Sequence, residues 1–167
     1  MTIKEICDIL KSHLYNNGFE YGFTLNGQKY KPDMGSGFDK EYYHLSNTIY
    51  RVQEPQVTLR EKIGTCIDAV VVMKSILDML NVSCKIWLLY NKKKNKMHTI
   101  LTFSAEDKIV YLELTPRSSP KRYGQEIIYS NEQELLQEYK NNGYDISDVT
   151  DLVIIGKQPL FLLDRIN

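Results

Sequence analysis

Cysteine is scarce in this 167-residue chain. There are three, at positions 7, 66 and 84, and no CxxC pair. That pattern excludes a disulfide framework and the close-spaced ligands of a structural zinc site. An excess of charge of either sign is also missing. Twenty-one basic residues balance twenty-one acidic ones, for a formal net charge of zero. Neither nucleic acid nor an anionic membrane surface is therefore expected as the main partner. No apolar run approaches the length needed to span a bilayer. The opening MTIKEICDIL lacks the basic-then-apolar profile of a secretory signal. These absences lead to the expectation of a reduced, cytoplasmic protein with free thiols. No repeat or low-complexity tract interrupts the chain, so residues 1–167 are expected to form one domain, long enough to bury a core without staples. Tyrosine, by contrast, is plentiful: there are twelve, clustered in the first fifty residues and toward the C-terminus.

The hydrophobic pattern gives an order of elements. Ile3, Ile6, Cys7, Leu10 and Leu14 recur at helical spacing, with Thr2 as N-cap and Asn16, Asn17 and Gly18 as the stop. Asn26-Gly27 predicts a short hairpin, followed by a loop through Gly37. Residues 38–50 predict a second helix with Tyr42, Leu45 and Ile49 inward, and Pro55 interrupts. The strongest helix covers residues 69–80, where Val70, Met73, Ile76, Leu77 and Leu80 share the period. Thr65 caps it, Asp68 completes a capping box and Asn81 ends it in the left-handed region. Strands are predicted over 82–90, 97–103 and 108–114, a loop over 118–125, a short helix over 131–142 and a further strand over 151–156. The fold class is α+β: a helix followed by a meander of antiparallel strands.

Two placements carry chemistry. Cys66 stands at the helix start, where backbone N–H groups and the helix dipole favour an anion. A thiol there ionises more easily, and the thiolate is the attacking species. His98 lies on the middle strand. If Phe103 pairs with Lys108 across a four-residue loop, His98 faces Glu113, and that carboxylate can fix the imidazole tautomer. A thiolate–imidazolium pair suits acyl transfer through a thioester, with the backbone N–H of Cys66 helping to hold the oxyanion. A second oxyanion donor has to come from upstream, and Gln53 and Tyr50 are the candidates. Cys7 and Cys84 fit apolar faces and read as core. His13 and His44 have no acidic or thiol partner nearby in sequence and read as surface or structural residues. The run KKKNK reads as a solvated turn tip.

The segments GTCIDAVVVMKSILDML, MHTILTF and VYLELTP together resemble the transglutaminase-like superfamily of papain-related cysteine enzymes. The resemblance rests on Gly64 and Cys66, the helix that follows, His98 opening a strand, and Glu113 before Thr115, and it covers residues 50–116. It implies a papain-like arrangement, a helix with an N-terminal cysteine packed on an antiparallel sheet. It also implies Cys66 as nucleophile, His98 as acid and base, and Glu113 as the orienting acid. The chain departs from the usual pattern in having Glu113 for aspartate, and Thr99 where an aromatic residue often follows the histidine. A smaller bacterial subgroup shows both features, and this chain looks like a member of that type.

The leading expectation is a cysteine enzyme acting on an amide carbonyl of a peptide or protein, as hydrolase or transferase, with no cofactor. No calcium loop with alternating acidic ligands is visible. Two rivals stay open. One is a non-catalytic domain of the same fold that binds a peptide. The other is a metal held by Cys66, His98 and Glu113.

Overall fold

The computed structural model describes residues 1–33, 39–117 and 121–162. The predicted loop through Gly37 and part of the loop over 118–125 lie outside them. Helix α1 (Ile3–His13) is capped by Thr2, whose hydroxyl accepts from the Glu5 N–H, and Gly18 takes the left-handed conformation after it. Strand β1 (Glu20–Tyr21) precedes a hairpin of β2 (Phe23–Leu25) and β3 (Gln28–Tyr30). Asn26 and Gly27 both adopt positive φ there, as a two-residue turn requires. Helix α2 (Lys40–Thr48) buries Tyr42, while Leu45 and Ile49 are half-buried.

Pro55 starts a helix rather than only interrupting one. Helix α3 (Pro55–Glu61) carries it in its first turn, where no N–H is needed. Strand β4 (Ile63–Gly64) pairs in parallel with β1. Helix α4 (Cys66–Met79) follows at once and buries nine of its fourteen residues, which matches its apolar sequence. Asn81 ends it at φ 57°.

The main sheet contains β5 (Cys84–Asn91), β6 (Lys96–Ala105), β7 (Lys108–Leu112), β8 (Glu126–Tyr129) and β9 (Asp145–Asp148). Its order is β8-β7-β6-β5-β9, and every neighbouring pair is antiparallel. The expected α+β architecture is therefore present, with the cysteine-bearing helix packed on an antiparallel sheet. The predicted meander forms its centre. Alternation places Ile86, Leu88, Leu101, Phe103, Val110 and Leu112 against α1 and α4. The opposite face sets Trp87, Leu89, Ile100 and Tyr111 against helix α5 (Glu132–Asn141). Both faces are covered, so the central strands read as nearly continuous apolar runs.

Two expectations need correction, and two strands were not foreseen. Residues 151–156 are not a strand: a 3₁₀ turn spans Thr150–Leu152, and Ile154 and Ile155 are exposed. Strands β8 and β9 escape the sequence pattern because they are short edge strands with little alternation. The β6–β7 hairpin also closes more tightly than predicted. Its turn is Glu106-Asp107 alone, both at positive φ, so Phe103 faces Val110 and Ala105 faces Lys108. Two-residue turns of this kind match the twist of the strands they join.

Gly64 shows how closely the start of α4 is packed. A Cβ placed there would stand 2.7 Å from Asp68 Cβ and 3.1 Å from both Phe19 Cε2 and Thr58 Cγ2. Gly64→Ala is expected to destabilise the protein by about 1–3 kcal/mol, as overpacking does. A urea melt checks this, and an unchanged midpoint would contradict it.

Candidate active site

The site begins with a buried carboxylate. Asp68 is fully buried and accepts four hydrogen bonds at the base of α4. Its Oδ2 takes the Thr65 N–H at 2.8 Å, while the Thr65 hydroxyl accepts from Ile67 and Asp68 N–H, closing the predicted capping box. Its Oδ1 takes the Tyr50 hydroxyl at 2.7 Å and the Gln53 N–H at 2.9 Å. The carboxylate thus ties the segment before α3 to the first turn of α4. Burial lifts its pKa to about 6 against the pull of these donors. The turn it fixes is the one that presents Cys66.

His98 and Glu113 meet despite the altered hairpin register. The slip is two residues, so every side chain keeps its face. Glu113 now lies diagonal to His98 instead of opposite. A glutamate is long enough to close that diagonal, and His98 Nε2 to Glu113 Oε1 is 2.5 Å. Glu113 is 3% exposed, so it needs partners. Tyr111 donates its hydroxyl to Oε1 at 2.6 Å, and the Thr115 N–H donates to Oε2 at 3.1 Å. The Glu113 carbonyl in turn accepts the Gly124 N–H at 2.7 Å. Thr115 was already part of the motif, whereas Tyr111 went unnoticed, although its spacing of two from Glu113 in an extended segment placed it on the same face.

Cys66 comes to His98 from the other face of the sheet. The β6–β7 ladder stops at Thr102 and Tyr111, which leaves the β6 edge near His98 uncovered by β7. There the Cys66 thiol lies close enough to the His98 side chain and to Thr99 for both to lower its pKa. Glu113 occupies Nε2, so Nδ1 is the nitrogen left for sulfur. Among the described residues no group of three or more His, Cys, Asp or Glu is arranged to hold a metal ion.

The charges support one another. Burial works against the imidazolium, yet Glu113 and Cys66 lift the His98 pKa to about 10. Burial also opposes the thiolate, but the His98 hydrogen bond and charge, helped by Thr99, bring Cys66 below the usual thiol value. Glu113 is likewise held below its ordinary value: its burial is outweighed by the charge of His98 and by its donors. The other two cysteines behave differently. Cys7 lies in the core, where burial pushes its pKa up to about 11, and burial also raises Cys84.

The upstream oxyanion candidates do not fit. Gln53 Nε2 donates both its hydrogens, to Thr58 Oγ1 at 2.8 Å and to the Ile63 carbonyl at 3.0 Å, while Oε1 accepts the Thr24 N–H. Gln53 is a strut between the β2 and α3 regions. Tyr50 is committed to Asp68. Among the described residues, two buried side-chain atoms lack a hydrogen-bond partner, Tyr42 Oη and Thr99 Oγ1. The Thr99 hydroxyl makes no complete bond, yet it stands close enough to sulfur to favour the thiolate. Cavities of about 210 and 350 Å³ are present whose walls include none of Cys66, His98 and Glu113; the first is lined in part by Tyr30, Tyr42 and Leu45, the second by Val71, Ile86 and Val153.

No known family model matches the sequence, and no curated protein matches it either. Among solved structures, Legionella pneumophila LapG is similar over 83% of this chain and 75% of its own, at 15% identity and a TM-score of 0.42. LapG from the same organism after EGTA treatment is similar over 98% of this chain and 79% of its own, at 14% identity and a TM-score of 0.43. At such scores neither likeness bears on chemistry. No helix among the described residues is long and apolar enough to cross a membrane.

The pKa directions set a pH window. The thiol is lowered and the imidazole raised, so the ion pair exists above the depressed Cys66 pKa and is lost as pH rises through about 10. With limiting iodoacetamide, Cys66 is expected to label first and already near neutral pH, where an ordinary thiol of pKa about 8.5 is largely protonated. His98→Ala removes the counter-charge and should move that reactivity to higher pH. Peptide mapping by mass spectrometry distinguishes the three cysteines, and equal labelling would refute the ion pair.

Proposed function

We propose that this protein is a cysteine-dependent acyl-transfer enzyme acting on an amide carbonyl in a peptide or protein. The observation that supports the proposal is the pair of partners around one imidazole: a buried carboxylate on Nε2, and a sulfur near enough for each to shift the other's pKa. A histidine held this way can keep sulfur ionised and later protonate a leaving amine. The sequence order of cysteine helix, histidine strand and acid strand, which resembles the transglutaminase-like superfamily, supports the same reading.

In this mechanism the Cys66 thiolate attacks the carbonyl carbon, and the carbonyl electrons move onto oxygen. The Cys66 N–H occupies the first helical position, where it has no intrahelical acceptor, and it stabilises that oxyanion. Collapse expels the amine, which takes its proton from His98. The resulting thioester is cleaved by water, making the protein a hydrolase, or by a second amine, making it a transferase. Water is always present, and among the described residues nothing in the site selects an amine, so hydrolysis is the favoured outcome. Glu113 holds the ring in orientation throughout.

A non-catalytic peptide-binding domain is the alternative. A buried carboxylate, a raised histidine and a lowered thiol on one relay are of no use to passive binding, and they favour catalysis.

A panel of peptide amides and glutamine-containing peptides, screened by mass spectrometry, tests the proposal. Cys66→Ser should abolish turnover. His98→Ala should lower kcat by about 10²–10⁴-fold, the usual share of general acid–base catalysis. Glu113→Gln should give a smaller loss. Turnover that persists in Cys66→Ser would refute the proposal.

A further inference from the structure

With Gln53 and Tyr50 committed elsewhere, a second oxyanion donor beside the Cys66 N–H has to be sought among the other described residues. We infer that the Tyr42 hydroxyl is that second donor, an assignment that rests on the acyl-transfer reading above.

Three observations place Tyr42 in the role. The residue is 4% exposed, and its hydroxyl has no hydrogen-bond partner among the described residues. A buried hydroxyl without a partner costs free energy, so in a packed core it calls for a reason. Second, Tyr42 belongs to the apolar cluster of Phe23, Tyr50, Val52, Ile67 and Val71 against which Cys66 itself packs. The ring is fixed by aromatic neighbours on several sides, with centroids 5.9 Å from Phe23, 5.8 Å from Tyr43 and 6.2 Å from Tyr21. A donor clamped by rigid neighbours suffers no reorganisation when charge develops in front of it. Third, the hydroxyl feels the sulfur. Burial raises the Tyr42 pKa first, and the Cys66 charge is the next cause. The phenol therefore stays protonated throughout the pH range in which Cys66 is a thiolate, as a donor must.

The chemistry balances without a further reactant. Sulfur forms a bond to the carbonyl carbon, and the π electrons settle on oxygen. That oxygen accepts hydrogen bonds from the Cys66 N–H and the Tyr42 O–H, neither of which gives up its proton. When the carbonyl re-forms, the C–N bond breaks and the amine takes the His98 proton.

The assignment separates two reactions of the same sulfur. Alkylation by iodoacetamide needs a thiolate but creates no oxyanion. Acylation by p-nitrophenyl acetate needs both. In Tyr42→Phe, alkylation of Cys66 should be unchanged, while the acylation burst should slow by about 10²–10³-fold, the effect of losing one oxyanion donor. The melting temperature should stay level or rise, because an unsatisfied hydroxyl has been removed. Normal acylation in Tyr42→Phe, with Cys66→Ser inert, would overturn the Tyr42 assignment and leave the acyl-transfer reading standing. Parallel losses of alkylation, acylation and melting temperature would show a structural role and overturn it as well. A wild-type Cys66 that neither acylates nor outpaces Cys7 and Cys84 would remove both.

Discussion

The buried Asp68 carboxylate is the constraint on which the rest of the site depends. It gathers Thr65, Tyr50 and the Gln53 backbone around the first turn of α4. The N-cap it supports, Thr65, is worth about 1 kcal/mol through the cap alone. Here the carboxylate also joins two segments that are distant in the chain, so the direction of Cys66 is set by a network rather than by one turn. Gly64 completes the arrangement, because the carboxylate's own Cβ leaves no room for a side chain behind it.

The second constraint is the pleat of the sheet. His98, Tyr111 and Glu113 share a face by alternation, and Thr99 faces the other way, toward α4. The β6–β7 ladder ends at Thr102 and Tyr111, so His98 and Glu113 lie beyond its last pair. Glutamate at position 113 fits the diagonal that results, and its extra methylene relative to aspartate supplies reach.

Polar satisfaction divides the interior into two kinds of place. Gln53, Asp68 and Glu113 are buried and richly bonded, and they hold the structure rigid. Tyr42 and Thr99 are buried with hydroxyls left over, and both flank Cys66. On the acyl-transfer reading proposed above, such donors weaken the fold slightly and are ready for charge that develops only during reaction.

The sequence by itself determined the long elements and the two ends of the relay. Helix α4, its cap and its stop were legible because Thr65, Asp68 and Asn81 are local signals acting within a few residues. The central strands were legible from their apolar runs, and the parity of His98 and Glu113 survived a wrong turn length because a two-residue slip preserves faces. Tertiary structure alone decided the rest. The hairpin closed on Glu106-Asp107 because strand twist favours the shorter turn. Pro55 opened a helix because its missing N–H costs nothing in a first turn. Gln53 became a strut and Tyr42 a reserve donor because hydrogen-bond satisfaction depends on who else is present in space. That is a long-range property, and no spacing along the chain encodes it.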